Sequence, residues 1–196
     1  SSAPLAYAIL NFSENSSLAA TVEAVPAATA FKMYAEITGE FPEALGTMPA
    51  LALANSLDSP ATVTLKLIGF DGTDSGLSSV ITLPPRGHFS RFLNEVPGFE
   101  NLPHPYLGVL YATTEQAGVT FAGFRTRYNE RGQFLITATG PLKDVGDGPV
   151  VFPHLVDGGG YATQFIVING SGSSGAVGTL KFLNPSGNPL NLATLP

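Results

Sequence analysis

The chain has 196 residues, of which 9 are Lys or Arg and 15 are Asp or Glu, and it contains neither Cys nor Trp. The excess of anions excludes a basic patch suited to a phosphate backbone, so nucleic acid is not an expected partner. The lack of Cys excludes disulfides, thiolate metal sites and a cysteine nucleophile, and no apolar run is long enough for a membrane-spanning helix.

Charged residues make up 12% of the chain, about half of the ~25% that is usual in globular domains. Exposed helix faces normally carry that charge, so its absence argues against an α-rich protein. Gly and Pro are abundant, at 22 and 16 residues, and they suit tight turns between short strands. The composition therefore predicts an all-β fold.

Taken in chain order, apolar runs of five to ten residues alternate with turn signals, without a helical period. Alternation is strictest in residues 63–67, which places Val63, Leu65 and Leu67 on one face. The only predicted helical turns lie near Phe41–Leu45 and Asn94–Asn101. The predicted strands are Leu5–Phe12, Leu18–Val25, Ala30–Ile37, Pro49–Ala54, Ala61–Gly69, Ser78–Leu83, His88–Leu93, Tyr106–Thr114, Val119–Arg127, Gln133–Thr139, Pro149–Leu155, Thr163–Asn169, Ala176–Leu183 and Leu190–Leu195.

Part of the sequence recurs further along the chain, at offsets between 112 and 121 residues. The clearest match is between residues 61–67 and 176–182. The ordered pairs are Phe31 with Phe152, Asn55 with Asn169, Lys66 with Lys181, Gly72 with Gly187 and Leu83 with Leu195. Small changes of offset are what loop insertions between strands produce. The alternative is coincidence, because β-proteins of this composition produce short matches by chance.

The repeat divides the chain into three parts. Residues 31–151 are predicted to form one complete β-sandwich of about eight strands. Residues 152–196 correspond to the first strands of a second unit, and residues 1–30 to the terminal hairpin of a preceding or neighbouring unit. Neither end piece buries its apolar face alone, so we expect residues 1–30 of the same or a neighbouring chain to complete residues 152–196.

Several segments resemble recurrent motifs of uncharacterised bacterial secreted repeat proteins. The longest is the strand-turn-strand of residues 121–137, and the others are residues 31–36, 93–99 and 157–161. The resemblance covers nearly the whole chain. It implies an extracellular protein built of antiparallel, immunoglobulin-like β-sandwich units in tandem, here with incomplete terminal units, and it implies no activity.

Residues with catalytic or metal-binding chemistry do not form a recognisable motif. His88, His104 and His154 lack metal-ligand spacing, and no G-x-S-x-G elbow is present. The Asp-Gly segments 71–76 and 144–148 could bind Ca²⁺, but they equally suit turns. We therefore predict no catalytic residue, cofactor site or metal site, and we expect that the chain is not an enzyme.

Two further groups of residues allow alternative interpretations. Arg125, Arg127 and Arg131 could bind a carboxylate or a sugar, or could form an ion-paired outer face. Three N-x-S/T sequons mark Asn11, Asn15 and Asn169 as candidate glycan acceptors. A glycoprotein is therefore one expectation for a secreted chain.

The favoured hypothesis is a structural protein of the bacterial cell surface or exterior that polymerises with itself head to tail. An end piece that cannot complete itself must be completed by the next chain, and a contact that does not close gives a filament. The candidate subunit-contact residues are Leu5, Tyr7, Ile9, Phe12, Phe165, Val167 and Phe182. The alternative is an adhesion or glycan-binding module in which Tyr106, Tyr111, Tyr128 or Tyr161 stacks on a sugar.

Overall fold

The computed structural model describes residues 7–12, 18–142, 148–168 and 177–190. These ranges contain ten β-strands, a single 3₁₀ turn at Leu93–Glu95, and no α-helix. The strands are β1 (Tyr7–Phe12), β2 (Leu18–Glu23), β3 (Ala30–Ile37), β4 (Thr47–Asn55), β5 (Ala61–Gly69), β6 (Asp74–Leu83), β7 (His88–Phe92), β8 (Tyr106–Thr114), β9 (Val119–Tyr128) and β10 (Phe134–Gly140).

Eight of these strands form two antiparallel sheets in a sandwich-like arrangement. One sheet has the order β10-β9-β4-β7 and the other the order β3-β8-β5-β6. The all-β prediction is thereby confirmed. Consecutive strands β3 and β4 lie in different sheets, and so do β4 and β5, so β3 and β4 pair with the distant strands β8 and β9.

The core lies between the two sheets and follows from the period of two in each strand. In β5 every second residue from Ala61 to Leu67 is buried, while the residues between them are exposed. Leu51 and Leu53 of β4 and Phe121 of β9 are also buried, and the Phe31 and Phe121 rings stack with centroids 5.5 Å apart. Burial of such side chains stabilises the fold by about 1.5–3 kcal/mol each.

One edge of the sandwich is nearly closed. The Leu142 amide, just after β10, donates a hydrogen bond to the Lys32 carbonyl of β3 at 2.7 Å. Gly140 lies so close that an added Cβ would stand 3.3 Å from the Met33 Cβ. The two edge strands of opposite sheets therefore meet where the chain enters and leaves the sandwich.

The β1–β2 hairpin forms a separate two-stranded sheet. Strand β2 lies beside β10, and Ala20 of β2 is buried. The segment that follows is tied to the sandwich, because Ala28 donates to the Val119 carbonyl at 3.0 Å and Thr29 accepts from the Thr114 amide at 2.9 Å.

The chain divides into two compact units, Ser1–Phe152 and Pro153–Pro196. Within the described residues 148–168 and 177–190 there are only isolated bridges and turns. The predicted strands at Pro149–Leu155, Thr163–Asn169 and Ala176–Leu183 are therefore not strands over those parts. A strand needs a hydrogen-bonded neighbour, and none is present there. Most of the predicted strand Leu190–Leu195 lies outside the described residues.

The other predicted boundaries agree with the structure more closely. The predicted strands Ala30–Ile37, Ala61–Gly69 and Tyr106–Thr114 coincide with β3, β5 and β8. Strand β6 begins at Asp74 rather than Ser78. Residues 41–45 form turns rather than a helix. No helix in the described part of the chain is long and apolar enough to cross a membrane.

Candidate self-assembly surface

The turn that joins β5 to β6 recurs 115 residues further along the chain. In residues 69–73 the Gly69 amide donates a hydrogen bond to the Thr73 carbonyl at 2.9 Å, and the Gly72 amide donates to the Gly69 carbonyl at 3.0 Å. In residues 184–188 the same two hydrogen bonds measure 2.9 and 2.9 Å. The fourth residues, Gly72 and Gly187, have φ of 81° and 80°, a left-handed conformation that favours glycine.

The pairing beside this turn recurs as well. Ile68 of β5 pairs with Asp74 of β6, and 115 residues later Leu183 pairs with Pro189 in an isolated antiparallel bridge. Leu190 then donates to the Phe182 carbonyl at 2.9 Å. Residues 177–190 therefore contain a five-residue turn and first pairings like those of the β5–β6 hairpin, and the same turn joins β9 to β10 at residues 129–133.

A second turn matches the connection between β3 and β4. Thr38 and Thr47 exchange two backbone hydrogen bonds of 3.3 and 2.8 Å, and Gly158 and Tyr161 exchange two of 3.0 and 3.0 Å. Eight residues, 39–46, connect Thr38 to Thr47, whereas only Gly159 and Gly160 connect Gly158 to Tyr161. These two glycines have φ of 61° and 87°, as in a tight type I′ hairpin turn. The shorter loop lowers the sequence offset from about 120 to 114.

At these offsets, residues 162–168 and 177–183 align with strands β4 and β5 of the sandwich. Leu53 and Leu65 are 1% and 0% exposed in the sandwich. Their counterparts, at offsets of 114 and 115, are Val167 and Leu180, which are 82% and 53% exposed. The second unit therefore presents apolar residues at the positions that form the core of the first.

Two of the predicted contact residues meet within the second unit. The Phe165 and Phe182 rings pack edge to face with centroids 5.8 Å apart. Their counterparts in the sandwich are Leu51 and Leu67, both fully buried on β4 and β5. Phe165 and Phe182 are half-buried.

Strands of the sandwich pair with partners that lie far along the chain. There β3 and β5 both pair with β8, and β4 pairs with β7 and β9. By the sequence repeat, segments 148–168 and 177–190 align with β3–β6. The described residues of the unit contain no counterpart of β7, β8 or β9.

The β1–β2 hairpin has the same connection length as β9–β10. Phe12 pairs with Leu18 across residues 13–17, and Tyr128 pairs with Phe134 across residues 129–133. Among the described residues, β1 has no strand on its other edge. Ile9, which is 55% exposed, lies on β1 with the predicted contact residues Tyr7 and Phe12. Leu5 lies outside the described residues.

The three predicted glycan acceptors occupy different places. Asn11 lies within β1, opposite Ala19 of β2, rather than in a surface loop. Asn15 and Asn169 lie outside the described residues. The repeat partner of Asn169 is Asn55, which is 3% exposed.

Asn55 links three chain segments at the end of β4. Its Nδ2 donates to the Ser59 and Pro84 carbonyls at 2.8 and 3.0 Å, and its Oδ1 accepts from the Leu57 amide at 3.0 Å. An asparagine has both the donors and the acceptor that this place requires. The sequence did not reveal this structural role of Asn55.

Arg125 forms an ion pair between the two sheets. Its Nε donates to Glu36 Oε2 at 2.6 Å, and its second nitrogen donates to Oε1 at 3.1 Å. The carboxylate and guanidinium side chains are 15% and 33% exposed, and the hydrogen bonds from Arg125 to Glu36 raise the pKa of Arg125. The Arg125 side chain is therefore bound to Glu36 of β3, whereas Arg127 and Arg131 are exposed.

The Asp-Gly segment 71–76 is a hydrogen-bonded turn. Asp71 Oδ1 accepts from the Thr73 amide at 2.9 Å, which lowers the pKa of Asp71. Asp74 forms an ion pair with Lys66 at 2.6 Å, which lowers the pKa of Asp74. Across the described ranges no three His, Asp or Glu side chains are grouped to hold a metal ion, and His104 contacts the Gly39 carbonyl.

Two surface features of the sandwich offer polar or aromatic contact area. Four half-buried rings pack on one another with centroids 5.1–6.5 Å apart, and they belong to Phe41, Phe92, Tyr128 and Phe134. An open groove of about 440 Å³ lies on the other sheet. It is lined by Thr62, Thr64, Thr113, Thr114, Glu115 and Gln116.

Comparison with known proteins places no family on this chain. No protein-family model matches it, and no curated protein matches it either. Among solved structures, the crystal structure of Thermotoga maritima 1070 is similar at 12% identity and a TM-score of 0.45. That match covers 59% of this chain and 96% of the Thermotoga chain.

Proposed function

We propose that this chain is a non-catalytic, extracellular structural protein that assembles head to tail into a filament or surface appendage by strand complementation. The observation that carries the proposal is the exposure of Val167 and Leu180 at positions whose counterparts form the core of the sandwich. A secreted protein with such surfaces either covers them or aggregates.

The physical driving force is the burial of these side chains together with backbone pairing. Each large apolar side chain that becomes buried contributes about 1.5–3 kcal/mol, and strand addition supplies main-chain hydrogen bonds. Donor and acceptor surfaces belong to different parts of the chain, so the contact is heterologous. Such a contact continues into a filament when its rotation does not close.

The finer architecture belongs to the same proposal. We take the sandwich of β3–β10 as one immunoglobulin-like unit of a tandem array, and residues 152–196 and 1–30 as incomplete terminal units. The recurring turns at residues 69–73 and 184–188 support this view. The proposed location is the exterior or surface of a bacterial cell.

The test is the oligomeric state of the purified chain as a function of concentration. Light scattering after size exclusion and negative-stain electron microscopy should show oligomers that lengthen as the concentration rises. Val167→Asp and Leu180→Asp should abolish them, because each places a charge on the covered face. Val80→Asp is the matched control, since Val80 is 65% exposed on the complete sandwich. A strictly monomeric wild-type chain at all concentrations contradicts the proposal.

A secreted or cell-surface adhesion or glycan-binding module is the second candidate. The aromatic group of Phe41, Phe92, Tyr128 and Phe134 favours it, because rings on a surface can stack on sugars. A glycan array run on the wild-type chain and on Tyr128→Ala tests it. A hit that is lost in the variant, from a monomeric protein, favours this function over assembly.

A further inference from the structure

We infer that the donor in this assembly is the β1–β2 hairpin, which adds β1 to residues 162–168 of a second copy of the chain. The inference rests on the proposed function and specifies its partner surfaces. It follows from three correspondences between the incomplete segments and the complete sandwich.

The hairpin corresponds to β9–β10. Both hairpins are antiparallel and join their strands through five residues, and Phe12 and Leu18 match Tyr128 and Phe134 at an offset of 116. In the sandwich β9 uses one edge for β10 and the other for β4. Strand β1 uses one edge for β2, and its other edge has no strand partner in the described ranges.

The acceptor corresponds to β4. Residues 162–168 follow the Gly158–Tyr161 turn as β4 follows the Thr38–Thr47 bridge. Within the described residues they pair with no strand. A β9-type strand is therefore what this segment lacks, and β1 begins a hairpin of the same connection length as β9–β10 and keeps one edge without a strand partner among the described residues.

The register of the sandwich transfers directly to the proposed contact. Leu51 pairs with Gly123 and Pro49 with Arg125 in β4 and β9. Adding 114 to the β4 residue and subtracting 116 from the β9 residue of each pair gives Phe165 opposite Tyr7 and Thr163 opposite Ile9. Ala8 then lies opposite Gln164. Three residues predicted to form the contact, Tyr7, Ile9 and Phe165, thus lie at directly paired positions.

The hairpin can donate β1 without leaving its own sandwich. It is β2, not β1, that lies beside β10, and the segment after β2 is held by the hydrogen bonds of Ala28 and Thr29. Strand β1 is thus presented outward, with Ala8 and Ile9 exposed. A second copy can pair with it while the first copy keeps its fold.

Cysteine cross-linking tests the register, because the chain has no Cys of its own. Two full-length variants, Ala8→Cys and Gln164→Cys, are mixed under mild oxidation, and the mixed disulfide dimer is quantified by mass spectrometry. The control mixes Ala8→Cys with Val177→Cys, whose side chain is 102% exposed but lies off the acceptor segment. We expect at least about fivefold more mixed dimer from the first pair, because a disulfide requires Cα atoms about 4.4–6.8 Å apart.

The outcomes separate this inference from the proposed function. Equal yields from the two mixtures, with oligomers still present by light scattering, overturn the register and leave assembly standing. A chain that carries both Ala8→Cys and Gln164→Cys and closes only onto itself as a covalent monomer overturns the donor assignment to a second copy. A wild-type chain without oligomers overturns the proposed function itself.

Discussion

The ion pair between Glu36 and Arg125 shows what single residues contribute to this fold. The two residues are 89 positions apart and belong to opposite sheets, so no sequence pattern links them. The sequence indicated only that Arg125 lies near other arginines. Its partner depends on the long-range pairing of β3 and β9 with other strands, which local periodicity does not encode.

Glu36→Gln should destabilise the protein by about 2 kcal/mol, because it leaves a partly buried guanidinium without its counter-charge. The matched control is Asp58→Asn, which removes the partner of Arg86 from a pair whose side chains are 86% and 64% exposed. Exposed pairs contribute about 0–1 kcal/mol. Urea unfolding of both variants measures the difference, and equal losses contradict the assigned role of burial.

Two buried tyrosines, Tyr34 and Tyr106, should ionise at a higher pH than a tyrosine in the unfolded chain. Burial raises the pKa of Tyr34 and of Tyr106 to about 12, and the Glu36 and Asp71 carboxylates respectively add to the effect. In the unfolded chain these phenols ionise near pH 10. The stability that they contribute is fully present below pH 10 and is lost as the pH rises towards 12.

Absorbance at 295 nm measures this titration directly. Of the six tyrosines, two should ionise only near pH 12 or together with alkaline unfolding. Tyr34→Phe and Tyr106→Phe should each remove one late-titrating phenol. If all the tyrosines ionise near pH 10 in a folded protein, the two side chains are not buried as described.

Asn55 illustrates a residue whose position was visible in the sequence but whose role was not. Asn55→Asp should cost about 2–3 kcal/mol, because two carbonyl oxygens would then face an acceptor instead of a donor. Ser56→Ala is the neighbouring control and removes one hydrogen bond to the Gly118 carbonyl, at a cost of about 1 kcal/mol. Thermal unfolding of the two variants gives the comparison.

At the level of elements, strand positions were predictable where alternation is strict and turns are explicit. The period of two in β5 fixed its bounds and its buried face. Residues 74–77 carry turn residues, yet they belong to β6, because Asp74 pairs with Ile68 across the register shift of the β5–β6 hairpin. Strands in the second unit were predicted from the same alternation. They are not formed, because alternation selects a face but does not supply a neighbour.

The turn at residues 129–133 offers a direct test of its left-handed glycine. Gly132 has φ of 68°, and an added Cβ would meet nothing within 4 Å. Gly132→Ala should therefore cost only the backbone term, about 1 kcal/mol. Gly132→Asn should cost less, because asparagine tolerates this conformation better. Chemical unfolding compares the two, and a larger loss for asparagine contradicts the argument.

For the whole molecule, the sequence predicted a complete unit flanked by incomplete ones, and that division stays a prediction. The sequence did not show which apolar side chains are exposed to solvent. The repeat aligns Val167 with Leu53, but only the structure shows that Val167 is exposed where Leu53 is buried. The candidate surface therefore follows from both together. Its partner depends on a second molecule, which no single chain specifies.

Limited proteolysis measures this difference between the two units. A protease that cuts after aromatic residues should cleave the dilute chain first after Tyr161, which is 72% exposed and is followed by Ala162. Residues 30–140 should resist, because their backbone is paired. In concentrated, assembled samples the early cuts should slow markedly. Cleavage at a rate independent of protein concentration would contradict coverage by a second chain.

The contact between Leu142 and Lys32 has a mechanical consequence. Because the chain enters and leaves the sandwich at the same place, tension along a polymer would pull on two neighbouring points. Such a load would separate β3 from β8 and β10 from β9 one hydrogen bond at a time. It would not load all the hydrogen bonds of a strand at once, as shear does. The unit would therefore yield at low force and extend, at about 3.4 Å per residue, so that a stretched filament would lengthen before it broke.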